Sequence, residues 1–211
     1  MRKTSYFVTF CFVVVILTLN VLSARSPEWL IVHYHNILYT EHIVSYGLVE
    51  RCELTISEVP GKIAYRNRKC RNFPASVTDG CQKDNKAFCA AWTSAGYLDQ
   101  MAIGFAAISL AAIAFGVSTH SRRRRIWRAV AGLLLLQAVC QISTFAIVAD
   151  SYRNARYPAF EHAVPGAAFV LHTVAWVLSI LASIAVVVVG VSAKAGHRWA
   201  AGNRAYQPIQ P

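Results

Sequence analysis

Four long runs without Asp, Glu, Lys or Arg predict an all-α membrane protein, a four-transmembrane-helix bundle carrying a small disulfide-stapled extracellular β-sheet. The sheet is expected from a cysteine-bearing, β-branched segment between the first two runs, and the orientation from basic residues gathered at alternate boundaries. The 211 residues are 55% hydrophobic and 15% charged, with mean hydropathy +0.39. A typical soluble domain is about 25% charged, so both a soluble globule and a disordered chain are disfavoured. The length holds about four spans of roughly 20 residues plus one folded loop, and excludes a large two-domain enzyme.

The spans are read at 6–24, 101–119, 129–149 and 164–193, because lipid offers backbone groups no water and only closed hydrogen-bonding elements cross it. The last run exceeds a perpendicular span, so it tilts, projects, or starts after Pro165-Gly166. The first run also resembles a secretory signal, with Val21-Leu22-Ser23-Ala24 as a small-residue cleavage site; its length favours a retained span. Between the spans lie a cytoplasmic amino terminus (1–5), a large extracellular loop (25–100), a basic cytoplasmic loop (120–128), a short extracellular loop (150–163) and a cytoplasmic tail (194–211). One side carries Arg2, Lys3, Arg122, Arg123, Arg124, Arg125, Arg128, Lys194, Arg198 and Arg204 and no acid. The positive-inside rule makes that side cytoplasmic and places both termini there. The net charge of +11 is therefore a topology signal rather than a nucleic-acid footprint.

Four of six cysteines, Cys52, Cys70, Cys81 and Cys89, fall in the 25–100 segment. An even count in an oxidising compartment predicts two disulfides. Three connectivities are open; neighbouring pairs are preferred, and closing the Cys52–Cys70 loop would contribute about 3 kcal/mol in the chain-entropy model. Strand-like runs occupy 29–34, 43–56 and 62–66, with Pro60-Gly61 as a turn. Asp84 and Asn85 are placed to cap a helix through Phe88, Trp92 and Tyr97 into the second span, with Trp92 and Tyr97 at the membrane interface. Trp29 is expected at headgroup level, and Gly47 at a bend or close backbone approach.

The basic run Arg66, Arg68, Lys69 and Arg71 is a candidate contact patch for an acidic cell-surface polymer, lipid headgroups or an acidic partner loop. His33, His35 and His42 are a candidate metal-binding or pH-responsive cluster, weighed against ordinary surface histidines. Arg122 to Arg125 with Arg128 can meet anionic inner-leaflet lipid at about 1 kcal/mol per residue, though topology alone accounts for them. His172 is the one clear ionisable residue inside a span and reads as a hydrogen-bonded packing residue. Ala175, Ser179 and Ser183, and likewise Ala102 and Ala106, recur every four residues and suit close helix approach. Cys11 reads as a buried thiol rather than a lipidation site. The tail's Tyr206-Gln207-Pro208-Ile209 fits a short sorting pattern. Phosphate loops, HExxH and GxSxG are missing from the sequence, so no enzyme, cofactor, catalytic residue or metal site is expected.

Trp29, then Tyr46-Gly47-Leu48-Val49-Glu50-Arg51-Cys52, then Cys70, in the first extracellular loop of a four-span chain, resembles the claudin superfamily signature Trp, Gly-Leu-Trp, Cys, Cys. The chain looks closest to fungal claudin-like tetraspans of the SUR/PalI group. Val49 stands where the signature has its second Trp, and Cys81 with Cys89 is an extra pair. The resemblance implies a left-handed four-helix bundle under an extracellular sheet, with Cys52 and Cys70 paired and Trp29, Gly47 and Leu48 seating the sheet. The function expected is that of a non-enzymatic plasma-membrane tetraspan that organises membrane regions or cell-surface contacts. Its partners would be the lipid bilayer, copies of itself or other membrane proteins, and not nucleic acid. The alternatives are an accessory subunit of an ambient-pH signalling complex, and a channel or channel regulator.

Overall fold

The computed structural model describes residues 3–36, 40–57, 65–118, 120–197 and 200. Four helices dominate: α1 Lys3–Arg25, α2 Lys86–Ser118, α3 His120–Arg153 and α4 Ala167–Lys194. Each contains a stretch long and apolar enough to cross a membrane. Between α1 and α2 run β1 Leu30–Asn36, β2 Thr40–Tyr46, β3 Glu50–Ser57 and β4 Tyr65–Asn72; β5 Val164–Pro165 precedes α4. They form one antiparallel sheet in the order β4-β3-β2-β1-β5.

Several expected boundaries move. The strand-like run 43–56 is two strands, because Gly47 turns the chain and its N–H donates to the Glu50 carbonyl at 2.8 Å. A Cβ there would lie 2.8 Å from Pro27 Cα, so the close approach requires glycine. The run expected at 62–66 meets the structure only at 65–66, which open β4 Tyr65–Asn72; residues 60–64, with Pro60-Gly61, lie outside the described residues. The segment 120–128, expected as a loop, is the first part of α3. α2 starts fifteen residues before the second apolar run, and α4 starts immediately after Gly166. Gly166 N–H donates to Trp29 O, and a Cβ at Gly166 would fall 2.2 Å from Glu28 O. That approach lets β5 join the sheet.

Along each helix the buried positions recur at three- and four-residue intervals, the spacing that keeps one face of an α-helix turned inward. In α2 they are Phe88, Trp92, Ala95, Asp99, Ala102, Ala106, Ser109 and Ile113; in α3, Val130, Leu134, Gln137, Gln141, Thr144, Val148 and Ser151. α4 gives Ala168, His172, Ala175, Ser179, Ser183 and Val186. The opposite faces carry large apolar side chains in the open, among them Phe7, Phe12, Ile108, Phe115, Leu135, Val139, Leu181 and Val188. The inward faces thus mix small and polar residues with apolar ones, while the outward faces are large and apolar rather than polar as on a water-soluble helix.

The chain forms two compact units. One is purely helical, drawn from Met1–Leu19, Met101–Cys140 and Val174–Pro211, and packs Val13, Ile16, Ile113, Leu134 and Val186. Within it Gln137 Nε2 donates to Ser179 Oγ at 3.2 Å and Ser183 Oγ to the Ala131 carbonyl at 3.1 Å. Cys11, expected to be buried, is exposed. The other unit, Asn20–Gln100 with Gln141–Thr173, contains the sheet.

Candidate functional site

The sheet-bearing unit is built on an aromatic core. Tyr46 from β2 meets Phe73, Tyr157 and Phe160 edge-on at centroid distances of 5.2, 6.2 and 5.0 Å, while Phe88 stacks on Tyr157 at 4.9 Å. Trp92, expected at a membrane interface, is wholly buried among them, and its indole N–H donates to the Gly47 carbonyl at 3.2 Å. Tyr97 is 69% exposed, as its place on the outer face of α2 dictates. Trp29 also departs from the interfacial expectation. It is fully buried, its Nε1–H donates to Ser23 O at 2.9 Å, and its ring lies 4.8 Å from that of His172. Leu48 is buried in the same core.

Two disulfides join neighbouring cysteines. Cys52–Cys70 links directly opposed residues of β3 and β4, with Cα atoms 4.0 Å apart; Cys81–Cys89 ties the turn before α2 to the first turn of that helix. The Asn85 side chain, expected to cap α2, instead donates to Asp79 O at 2.8 Å. Asp79 sits at the centre of this turn with its carboxylate closed off from solvent. It accepts two bonds from Arg71 at 2.7 and 2.6 Å, one from Ala75 N–H at 2.7 Å and one from the Tyr157 hydroxyl at 3.0 Å. Burial raises the Asp79 carboxyl, but the bonds from Arg71, Ala75 and Tyr157 overcome it and hold the group below the usual carboxylate range. Burial, and then the bond to Asp79, pushes Tyr157 up to about 12. A strand, a turn and the α3–α4 connection are thereby fixed on one carboxylate.

Strand alternation sorts the remaining candidates. One sheet face presents Leu30, Val32 and Tyr34 against Tyr46, Val44 and His42, then Arg51, Glu53 and Thr55, then Arg71, Lys69 and Asn67. The other presents Ile31 and His33, then Ser45 and Ile43, then Cys52, Leu54 and Ile56, then Cys70, Arg68 and Arg66. His33 and His42 therefore lie on opposite faces, and His42 Nδ1 is 3.2 Å from Thr55 Oγ1. The three histidines do not make one cluster; the His35 side chain is outside the described residues. No group of three or more His, Cys, Asp or Glu positioned to hold a metal ion occurs among the described residues. The expected contact patch is likewise divided. Lys69 and Arg71 fall on one face, where Arg71 is committed to Asp79 and Lys69 stands across from Glu53; Arg66 and Arg68 fall on the other, both exposed. The Arg122 to Arg125 side chains fall outside the described residues, while Arg128 is exposed.

A second feature went unseen in the sequence. Asp99, assigned there to the large loop, is buried within α2, with Oδ1 3.3 Å from Nδ1 of the buried His172. Nε2 of His172 lies 2.9 Å from the Gln141 main-chain carbonyl; a carbonyl only accepts, so that nitrogen carries a hydrogen. Gln141 Nε2 donates to Asn20 Oδ1, Thr144 Oγ1 to Ala95 O at 3.1 Å, and Ser23 Oγ to Ala168 O at 2.9 Å. Each of the four helices contributes a polar residue to this part of the sheet-bearing unit. The signal was present: Asp99 continues the 88, 92, 95 spacing into 102 and 106, so a helix extended upstream places it inward.

Compared with known proteins, the chain matches no family model and no curated relative.

Proposed function

We propose that the chain is a non-enzymatic, multi-pass plasma-membrane protein of the claudin-like tetraspan kind, related to the SUR/PalI group. It displays its sheet outside the cell and organises membrane regions through lateral contacts made by that sheet. Both termini are cytoplasmic in this reading, which follows the basic residues. Membrane residence is supported by the exposed apolar faces of all four helices. The contact role rests chiefly on one observation: exposed Arg66 and Arg68 share a sheet face with the half-buried Ile31, Ile43, Leu54 and Ile56. A rigid apolar and basic surface of this kind, stapled by Cys52–Cys70, suits recognition of an acidic neighbour.

The test is charge reversal. Arg66→Glu with Arg68→Glu should abolish surface patches of the tagged full-length protein in its native cells while leaving surface delivery unchanged. Patches that persist undiminished in the double variant would remove the contact role. In the pH-signalling alternative, His42 does not act in one cluster with His33, since the two lie on opposite faces of the sheet.

A further inference from the structure

The outer edge of β4 carries a more specific inference, which deepens the proposed contact role and rests on it. β4 ends the sheet, and no described strand pairs with its outer side. Directly opposed residues of an antiparallel pair alternate between hydrogen-bonded pairs, with Cα atoms about 5.5 Å apart, and non-bonded pairs at about 4.5 Å. Cys52 and Cys70 are directly opposed at 4.0 Å, so theirs is a non-bonded pair. The odd positions of β4 then exchange bonds with β3, a register continued by Phe73 N–H donating to Val49 O at 2.9 Å. The even positions, Arg66, Arg68 and Cys70, turn their N–H and C=O groups to the open edge. Two of the residues that offer backbone bonds to a newcomer are thus the exposed Arg66 and Arg68, the latter with Nη2 3.8 Å from Cys52 Sγ on the sheet face the two share.

We infer that β4 is a strand-addition site for an extended acidic segment of a neighbouring membrane protein, with carboxylates at alternate positions opposite Arg66 and Arg68. Main-chain bonds would supply affinity and the alternating acids the register. A second copy of this edge is the wrong occupant, because antiparallel pairing of two β4 strands sets basic residues against basic ones, which is destabilising.

The probe is a synthetic peptide alternating Glu and Thr, titrated onto the full-length protein in lipid nanodiscs. Three comparisons accompany it: the same peptide N-methylated on the edge-facing amides, heparin as a competing acidic polymer, and Lys69→Glu as a control on the other sheet face. The expected result is binding that N-methylation abolishes and that Arg66→Glu with Arg68→Glu weakens about tenfold, two reversed cross-strand pairs being worth roughly 1.4 kcal/mol. Lys69→Glu should change it less than the double variant does. Equal binding of the N-methylated peptide would overturn strand addition in favour of charge alone, as would full displacement by heparin with no difference between the peptides. Should the double variant fail to fold, the two peptides on the unaltered protein still decide the matter. Patches lost on charge reversal without peptide discrimination would sink this inference and leave the contact role standing; peptide discrimination with unaltered patches would do the opposite.

Discussion

Replacing Trp29 by alanine is expected to destabilise the sheet-bearing unit by about 3–5 kcal/mol, the range for truncating a buried tryptophan. Three contacts are lost together. The indole fills fully buried volume, donates to Ser23 O at 2.9 Å, and lies against Phe169 and His172 at centroid distances of 6.3 and 4.8 Å. Trp29→Phe keeps an aromatic ring but removes the indole N–H, leaving Ser23 O with the longer bond from Ser26 N–H at 3.3 Å, so it should cost less, about 1–3 kcal/mol. Thermal unfolding of the purified chain in detergent micelles measures both. An interfacial tryptophan would give near-zero effects for either, and that outcome would refute the buried placement.

Arg71→Ala is expected to cost about 3 kcal/mol near neutral pH, the low end for removing one partner of a buried ion pair. It leaves the Asp79 carboxylate enclosed with only Ala75 N–H and Tyr157 Oη as donors. The pH dependence has a definite sign. Asp79 is held below its unfolded value, near 3.9, so its contribution is complete above that value and is lost as pH falls through the lower folded value. The gap between the parent protein and Arg71→Ala should therefore narrow below about pH 4. Hydrogen exchange at the Ala75 and Asp79 amides reads the same turn locally. A gap that stays constant from pH 7 to pH 3 would show that Asp79 does not carry the effect.

Much of the architecture was legible because its signals are local. Four uncharged runs, four cysteines in one segment and a glycine beside β-branched residues each report a constraint that few distant contacts can override. The burial of Trp29 and Trp92 was not legible. Both residues follow or precede an apolar run, where an interfacial place is the usual one, and only distant partners enclose them: Phe169 and His172 for Trp29, Gly47, Phe73 and Phe160 for Trp92. The division of the contact patch has a different reason: Arg66, Arg68, Lys69 and Arg71 are close in sequence, but a period of two sends neighbours to opposite faces. Asp79 and Tyr157 are 78 residues apart, and no spacing rule joins such a pair. β5 is only two residues long and exists because Gly166 lets the chain reach Glu28 and Trp29.

The central claim is that the sheet stands outside the cell on a four-span chain whose termini are inside. It is tested most directly by one epitope inserted between Pro60 and Gly61 and a second placed after Pro211, both probed by antibody on intact and permeabilised cells. The account expects the first epitope to stain intact cells and the second only after permeabilisation. A carboxy-terminal epitope that stains intact cells, or a loop epitope that needs permeabilisation, would contradict it.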